Sequence, residues 1–523
     1  MKKSFALALA GLLAASSIAG CSAKSTGSTQ EGTAKPSSAA NSSGATAKPA
    51  QLVKLKYIAP GTEPKDYKEV MAAINKKLQE DGLNIELEKV YIPSDAWDQK
   101  LNLMLSTGED FDLFHIMQDR TPFSSYYNRG ALADITGAIE KYGKNLRKHI
   151  PDDIFDGAKI DGKYFAVPSY WVEMASEGEF NIRRDILKQN NLKEPATPDE
   201  LISVWETVMK NWKGSSKPYF ASKADFDPVS LHTTILHRTY DTFPFTVKDK
   251  FFYVNQNGTV KSWIETEEFK KDAEFMRKLY TKGITNPDIL VLKQEQVKAQ
   301  LDSGDWFVNL GTGGSLSALK KNNPDATVND IGVVWFNPER VYLRPLTFKN
   351  GNAVPVNSKH PEEAVQLLDW ILASQDNYDL FQYGIEGKHY TKDGDKGMKA
   401  INDPANNNKP GYKGSESQNG NVSFMRFDLE SSIPENNKVL YEANTKAVNS
   451  IAANFVFDPT SVRTEYTNIA SEAAASIIPI YMGVLEYDKA FPAALDKMKK
   501  AGLDKVVAEY QRQFKEYQAK QGK

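Results

Sequence analysis

Residues 161–201 read DGKYFAVPSYWVEMASEGEFNIRRDILKQNNLKEPATPDEL. The turn Asp161-Gly162-Lys163 passes into a short apolar run, Tyr164 to Val167, which meets Pro168. A proline cannot donate to a sheet ladder, so a strand that reaches Pro168 is expected to change course there. The chain resumes as Glu179-Phe180-Asn181-Ile182 and then a helix-like Arg184 to Gln189. Thr197-Pro198-Asp199-Glu200 is a helix start: the threonine caps, the proline has the torsion wanted at the first position, and the glutamate completes a capping box. The stretch therefore predicts a crossing from one body of the chain into a second.

Upstream, Leu52 to Ile58 alternates, with Val53, Leu55 and Tyr57 on one face and Lys54 and Lys56 on the other, as a strand does. Val70, Ile74 and Leu78 fall at helical spacing before Gly82, and Leu83 to Val90 alternates again. Trp97, Leu101, Met104 and Leu105 form a second helical stripe, and Phe111 to Met117 is a third strand. This βαβαβ order predicts a parallel sheet with right-handed crossovers. Ligands of such sheets bind beyond the carboxyl ends of the strands, where Gln118-Asp119-Arg120 follows the third.

Downstream, a helix is expected from Thr197 to Trp212, a loop-rich middle from Lys217 to Val260 and a helix from Glu265 to Tyr280. Trp306 to Gly314 is a strand running into a glycine turn, where Gly311, Gly313 and Gly314 let backbone approach closely. Ile331 to Trp335 is a buried-type strand, and Gly351 to Val356 a second crossing. Leu503, Val507, Tyr510 and Phe514 lie on one stripe of the last helix.

The joint order of the Gly-Lys-Tyr turn, Val167-Pro168, Phe180-Asn181, Arg184-Asp185-Ile186-Leu187 and Pro195-x-Thr-x-Asp-Glu-Leu201 resembles the extracellular solute-binding proteins of ABC importers, the group that contains maltodextrin and other sugar receptors. Gly130 to Thr136, Ser358 to Ala364 and the tail from Asn421 to Tyr517, similar to the lipoprotein branch of that group, extend the resemblance over most of the chain. It implies an α/β, two-lobed periplasmic-binding-protein-like fold of type II, with discontinuous lobes joined by three crossings. The expected division is 51–166 and 350–390 for the first lobe, and 167–349 and 391–523 for the second. The third crossing is expected after Tyr390.

At the start of the chain, Lys2 and Lys3 precede the apolar stretch Phe5 to Ala15, which is too short to span a bilayer. Residues 1–20 read as a signal peptide, and Ile18-Ala19-Gly20-Cys21 resembles a lipobox, which makes Cys21 the lipidated first residue of the mature chain. Two or more acyl chains, at about 0.8 kcal/mol per buried CH₂, hold where one is marginal. The segment 21–50 has no large apolar residue beyond that cysteine and reads as a tether. The expected location is extracytoplasmic, anchored to the bacterial cell membrane. Cys21 is the only cysteine, which excludes an internal disulfide. The net charge of −2 argues against nucleic acid, whose binding needs clustered Lys and Arg.

An enzyme is the competing class, in the form of a secreted hydrolase. The six histidines are scattered without His-Glu-x-x-His, and Gly313-Gly314-Ser315-Leu316-Ser317 lacks the last glycine of a nucleophile elbow. No metal, cofactor or catalytic group is therefore expected. The resemblance implies a monomer that captures a solute, most naturally an oligosaccharide, with a peptide or another organic solute as the alternative, and hands it to the importer's membrane subunits. The ligand residues expected are Gln118, Asp119, Arg120, Tyr170, Trp171, Glu173, Gly313, Trp335 and Asn352. Trp171 and Glu173 alternate along an extended segment, so an indole face and a carboxylate can address one sugar ring. The other reading is that Trp171 packs the hinge, Glu173 meets a lysine, and Asp119 and Arg120 pair with each other.

Overall fold

The computed structural model describes residues 52–520 except 119, 172–179, 221–251, 255–256, 311–315, 335, 337–342, 345, 430–432, 434–436, 438–440 and 443. The alternating segments form β1 (Val53–Pro60), β2 (Ile85–Ile92) and β3 (Leu113–Met117), with helices Tyr67–Glu80 and Trp97–Thr107 between them. β1 runs parallel to both β2 and β3. The segment Val167–Pro168 is β4, and β5 (Phe180–Arg183), β6 (Val308–Leu310), β7 (Ile331–Val334) and β8 (Asn350–Ala353) follow along the chain.

The first sheet has the order β2-β1-β3-β8-β4, with β8 antiparallel to β3 and to β4. β4 is an edge strand, which is where a proline is tolerated. Its ladder ends at Pro168, opposite Gly351, and Tyr170 pairs instead with Asn421. The expected change of course is thus a change of partner, from β8 to a late segment of the chain. The second sheet is antiparallel, with β5 between β6 and β7.

Helix Pro198–Asn211 starts as expected: the Thr197 hydroxyl accepts from Glu200 N at 3.2 Å, and Glu200 accepts from Ala196 N at 2.7 Å. Leu201, Ile202, Trp205 and Val208 form its buried face. Burying side chains of this size contributes about 1.5–3 kcal/mol each, which fixes the helix more firmly than propensity does.

Two large cores result. One gathers both faces of the first sheet, from Leu55 through Trp171 and again from Phe348. The other joins Ile182 and Trp205 to the tail residues Phe455, Ile469, Tyr510 and Phe514. The exit expected after Tyr390 needs correction, because Met398, Tyr412, Val422, Phe424 and Met425 also pack in the first core, and the second core resumes at Ala452. Phe424 stacks on Tyr378 with ring centroids 5.5 Å apart, and Arg426 pairs with buried Asp379. These contacts hold the chain on the first core well past Tyr390.

Candidate functional site at the carboxyl edge of the first sheet

β1, β2, β3 and β4 are parallel, and β8 is antiparallel, so one edge of the sheet gathers the residues that follow Met117 and Pro168 and those that precede Asn350. Backbone hydrogen bonds stitch this edge: Gln118 N donates to Lys349 O at 2.9 Å, and Ser169 N to Asn350 O at 2.8 Å. Gln118, Arg120, Lys349, Tyr170 and Trp171 therefore share one edge of one sheet, whereas the expected lobe division sets 118–120 and 170–171 in different lobes. Lys349 was not foreseen, since Phe348-Lys349-Asn350 carries no motif.

Their side chains divide into anchors and open groups. Gln118 donates to Phe348 O and accepts from Phe123 N at 3.3 Å, which ties the end of β3 to the approach of β8. Arg120 pairs with Asp98 at 2.8 Å and donates to Ser94 O at 2.9 Å. The pairing expected for this arginine is with Asp119, which lies outside the described residues; Asp98, its partner here, lies on helix Trp97–Thr107. Tyr170 is buried, with its hydroxyl 3.4 Å from Asn444 O. Trp171 is 9% exposed and packs in the first core, where a Cβ at Gly420 would come within 2.8 Å of its own Cβ. The indole thus does pack the crossing. Its buried Nε1 has no acceptor among the described residues, and the Lys349 ammonium lies over the ring at 5.9 Å.

Asn352 faces inward rather than toward a solute. It is 3% exposed, accepts from the Tyr57 hydroxyl at 2.6 Å, and donates to Gln418 O at 2.8 Å and Asn419 Oδ1 at 3.1 Å. Both amide protons are committed, and its expected place among the ligand residues is corrected to a clamp on segment 418–419. Asp119, Glu173, Gly313 and Trp335, like Cys21, lie outside the described residues.

The crossings are laced to one another beside this edge. Buried Arg344 donates to Asp153, to Ala447 O at 2.9 Å and to Asn449 Oδ1 at 3.0 Å, and Leu343–Arg344 pairs in parallel with Val448–Asn449. A cavity of about 470 Å³ opens here, lined by Gln118, Tyr127 and Asp153 on one side and by Asn449, Asn454 and Tyr517 on the other. It is of ligand size, with polar and apolar groups in its wall, and residues of both cores contribute to it.

Behind the edge, burial pushes the His115 imidazole down to about 3, assisted by the nearby Lys89 ammonium. Burial alone brings Lys89 down to about 7, with its Nζ at 5.0–5.4 Å from the rings of Tyr57, Tyr91 and Phe381. His115 has an unfolded value of 6.5 and a depressed folded value, so the unfolded chain binds the extra proton between the two. Its contribution to stability is complete above pH 6.5 and is lost as pH falls toward 3. Thermal unfolding of the wild type between pH 7 and about 4 should show this loss, and His115→Gln should flatten it. Parallel profiles for the two proteins would remove His115 as the cause.

Comparison with known proteins places this geometry. The chain belongs to the family of bacterial extracellular solute-binding proteins, whose pattern matches residues 72–386. Residues 451–519 match a domain of unknown function. A carbohydrate ABC transporter substrate-binding protein of Streptococcus pneumoniae is 24% identical, over 87% of this chain and 89% of its own length. The polygalacturonan/rhamnogalacturonan-binding protein YtcQ of Bacillus subtilis is 26% identical, over 60% of this chain and 62% of its own. The solved N-glycan transport solute-binding protein NgtS of S. pneumoniae superposes with a TM-score of 0.71 at 21% identity, covering 89% of this chain and 98% of the other. The fold is that of the two-lobed type II binding proteins. Among the described residues no helix is long and apolar enough to cross a membrane.

Proposed function

We propose that this chain is an extracytoplasmic receptor that captures an oligosaccharide at the carboxyl edge of the first sheet and delivers it to an ABC importer. The observation that carries the reading is that edge: a ligand-sized cavity lined from both cores, beside a crossing where the buried Trp171 N–H has no acceptor among the described residues. Sugar hydroxyls both donate and accept, so a cavity wall bearing Gln118, Asp153, Asn449 and Asn454 suits a saccharide better than a purely apolar solute. Relatives whose names specify carbohydrate, polygalacturonan/rhamnogalacturonan and N-glycan support the same class.

The mechanism is closure. The two cores rotate about the segments near Pro168, Arg344 and Val448, and water leaves the cleft as the lobes meet. Cys21 carries the lipid anchor, 21–50 is the tether, and the monomeric body presents its closed form to the importer's membrane subunits. Binding without turnover is the expected behaviour, with ATP hydrolysis on a separate protein.

The test is Trp171→Phe, which keeps an aromatic ring in the crossing and deletes the donor. Affinity for the bound oligosaccharide should fall by about 1–2 kcal/mol, the worth of a buried hydrogen bond, with a small change in melting temperature. Equal calorimetric affinities for the two proteins would take Trp171 out of the site.

A further inference from the structure

Residues 151–159 read PDDIFDGAK. Ile154 and Phe155 are fully buried in the first core, which pins the short helix Asp152–Phe155 and the turn after it by their apolar side. Asp153 and Asp156, three residues apart, then fall on one face, and both line the cavity of about 470 Å³ at the crossings. Their side chains are about half exposed. Asp152, outside that wall, pairs with Arg147 at 2.8 Å.

Each of the two carboxylates already has its cation. Asp153 is held by Arg344, which is buried, lies outside the wall and also serves Ala447 O and Asn449 Oδ1. Asp156 Oδ1 is 2.8 Å from the Lys159 ammonium and accepts from the Tyr164 hydroxyl at 2.7 Å. Lys159 is the only lysine or arginine of the wall among the described residues, and its ammonium also lies over the Tyr164 ring at 4.8 Å. Across the cavity, Asn449, Ser450 and Asn454 bring amides and a hydroxyl. Arg120 and Lys349, cations of the same sheet edge, lie outside the wall, the one paired with Asp98 and the other over the Trp171 ring.

Such a wall discriminates by charge. A carboxylate that leaves water needs a cation or several donors in place of its hydration. Here a uronate would meet two fixed carboxylates, and a lysine that it could use only by taking it from Asp156. A neutral ring bears no such cost, and its hydroxyls can donate to the same carboxylates. Resting on the reading of this cavity as the saccharide site, we propose that it selects neutral oligosaccharides over uronate chains, with Asp153 and Asp156 as the residues that set the preference.

Calorimetric titration of the full chain with matched trisaccharides tests it: β-1,4-mannotriose against β-1,4-trimannuronate, cellotriose against β-1,4-triglucuronate, and α-1,4-galactotriose against trigalacturonate. At least one neutral member should bind, and its uronate counterpart should bind at least about tenfold more weakly. Asp156→Asn keeps an acceptor for Tyr164 and releases Lys159, so it should narrow that gap by about threefold or more, its thermal transition confirming the fold. A uronate that binds within tenfold of its neutral counterpart, or more tightly, overturns the selection and leaves the receptor reading standing. A gap unchanged by Asp156→Asn overturns its assignment to the wall carboxylates. Failure of every trisaccharide, neutral and acidic alike, overturns the selection together with the reading on which it rests.

Discussion

Arg426→Ala is expected to lower the unfolding free energy by about 3–5 kcal/mol, because it strands a buried carboxylate. Arg426 Nε lies 2.9 Å from both oxygens of Asp379, with side-chain exposures of 5% and 2%, and its Nη1 donates to Asp395 O at 2.9 Å. Lys392, at 3.8 Å and one-third exposed, is too far and too wet to replace it. The pair joins helix Gln375–Tyr383 to the last segment of the first core before the chain crosses to the second. Loss of the pair should therefore loosen the segment that follows Tyr390 as well as lower the urea midpoint. A change below about 1 kcal/mol, the scale of an exposed ion pair, would mean that water reaches Asp379.

Asn352→Leu should cost about 2–4 kcal/mol, since truncating this amide leaves the Tyr57 hydroxyl, Gln418 O and the Asn419 side chain short of partners in a dry interior. Asn419 also donates to the Tyr57 hydroxyl at 3.0 Å, so the Asn352, Tyr57 and Asn419 side chains form one connected network, tied to the main-chain carbonyl of Gln418. Networks of this kind fail together. The variant separates clamp from ligand group: the folded fraction should keep wild-type affinity for the oligosaccharide. Full stability with weakened binding would return Asn352 to the site.

The sequence is most informative where local patterns are strong. β1 to β3 alternate or run apolar and are flanked by helical stripes, and the Thr197 capping box starts its helix where residue types alone place it. Pro168 marks the crossing because a missing N–H is a local fact. The second exit from the first core was not legible, because it depends on Phe424 meeting Tyr378 and Arg426 meeting Asp379, contacts between residues about 46 positions apart. The site divides in the same way. Strand order locates the carboxyl edge, and so Gln118, Arg120 and Trp171. Whether each side chain is spent on the protein or left for a ligand depends on Phe348, Asp98 and Tyr57, which adjacency in the chain does not reveal. Asn352 was misplaced for this reason, and Lys349 was overlooked.

The most direct test is calorimetric titration of the full chain with a panel of neutral and acidic oligosaccharides, with product analysis of each mixture afterwards. At least one should bind with one-to-one stoichiometry as the dominant event, at a Kd of about 10 μM or tighter, and be recovered intact. Failure of every saccharide to bind, or recovery of the bound one as cleaved fragments, would contradict the assignment as a carbohydrate receptor.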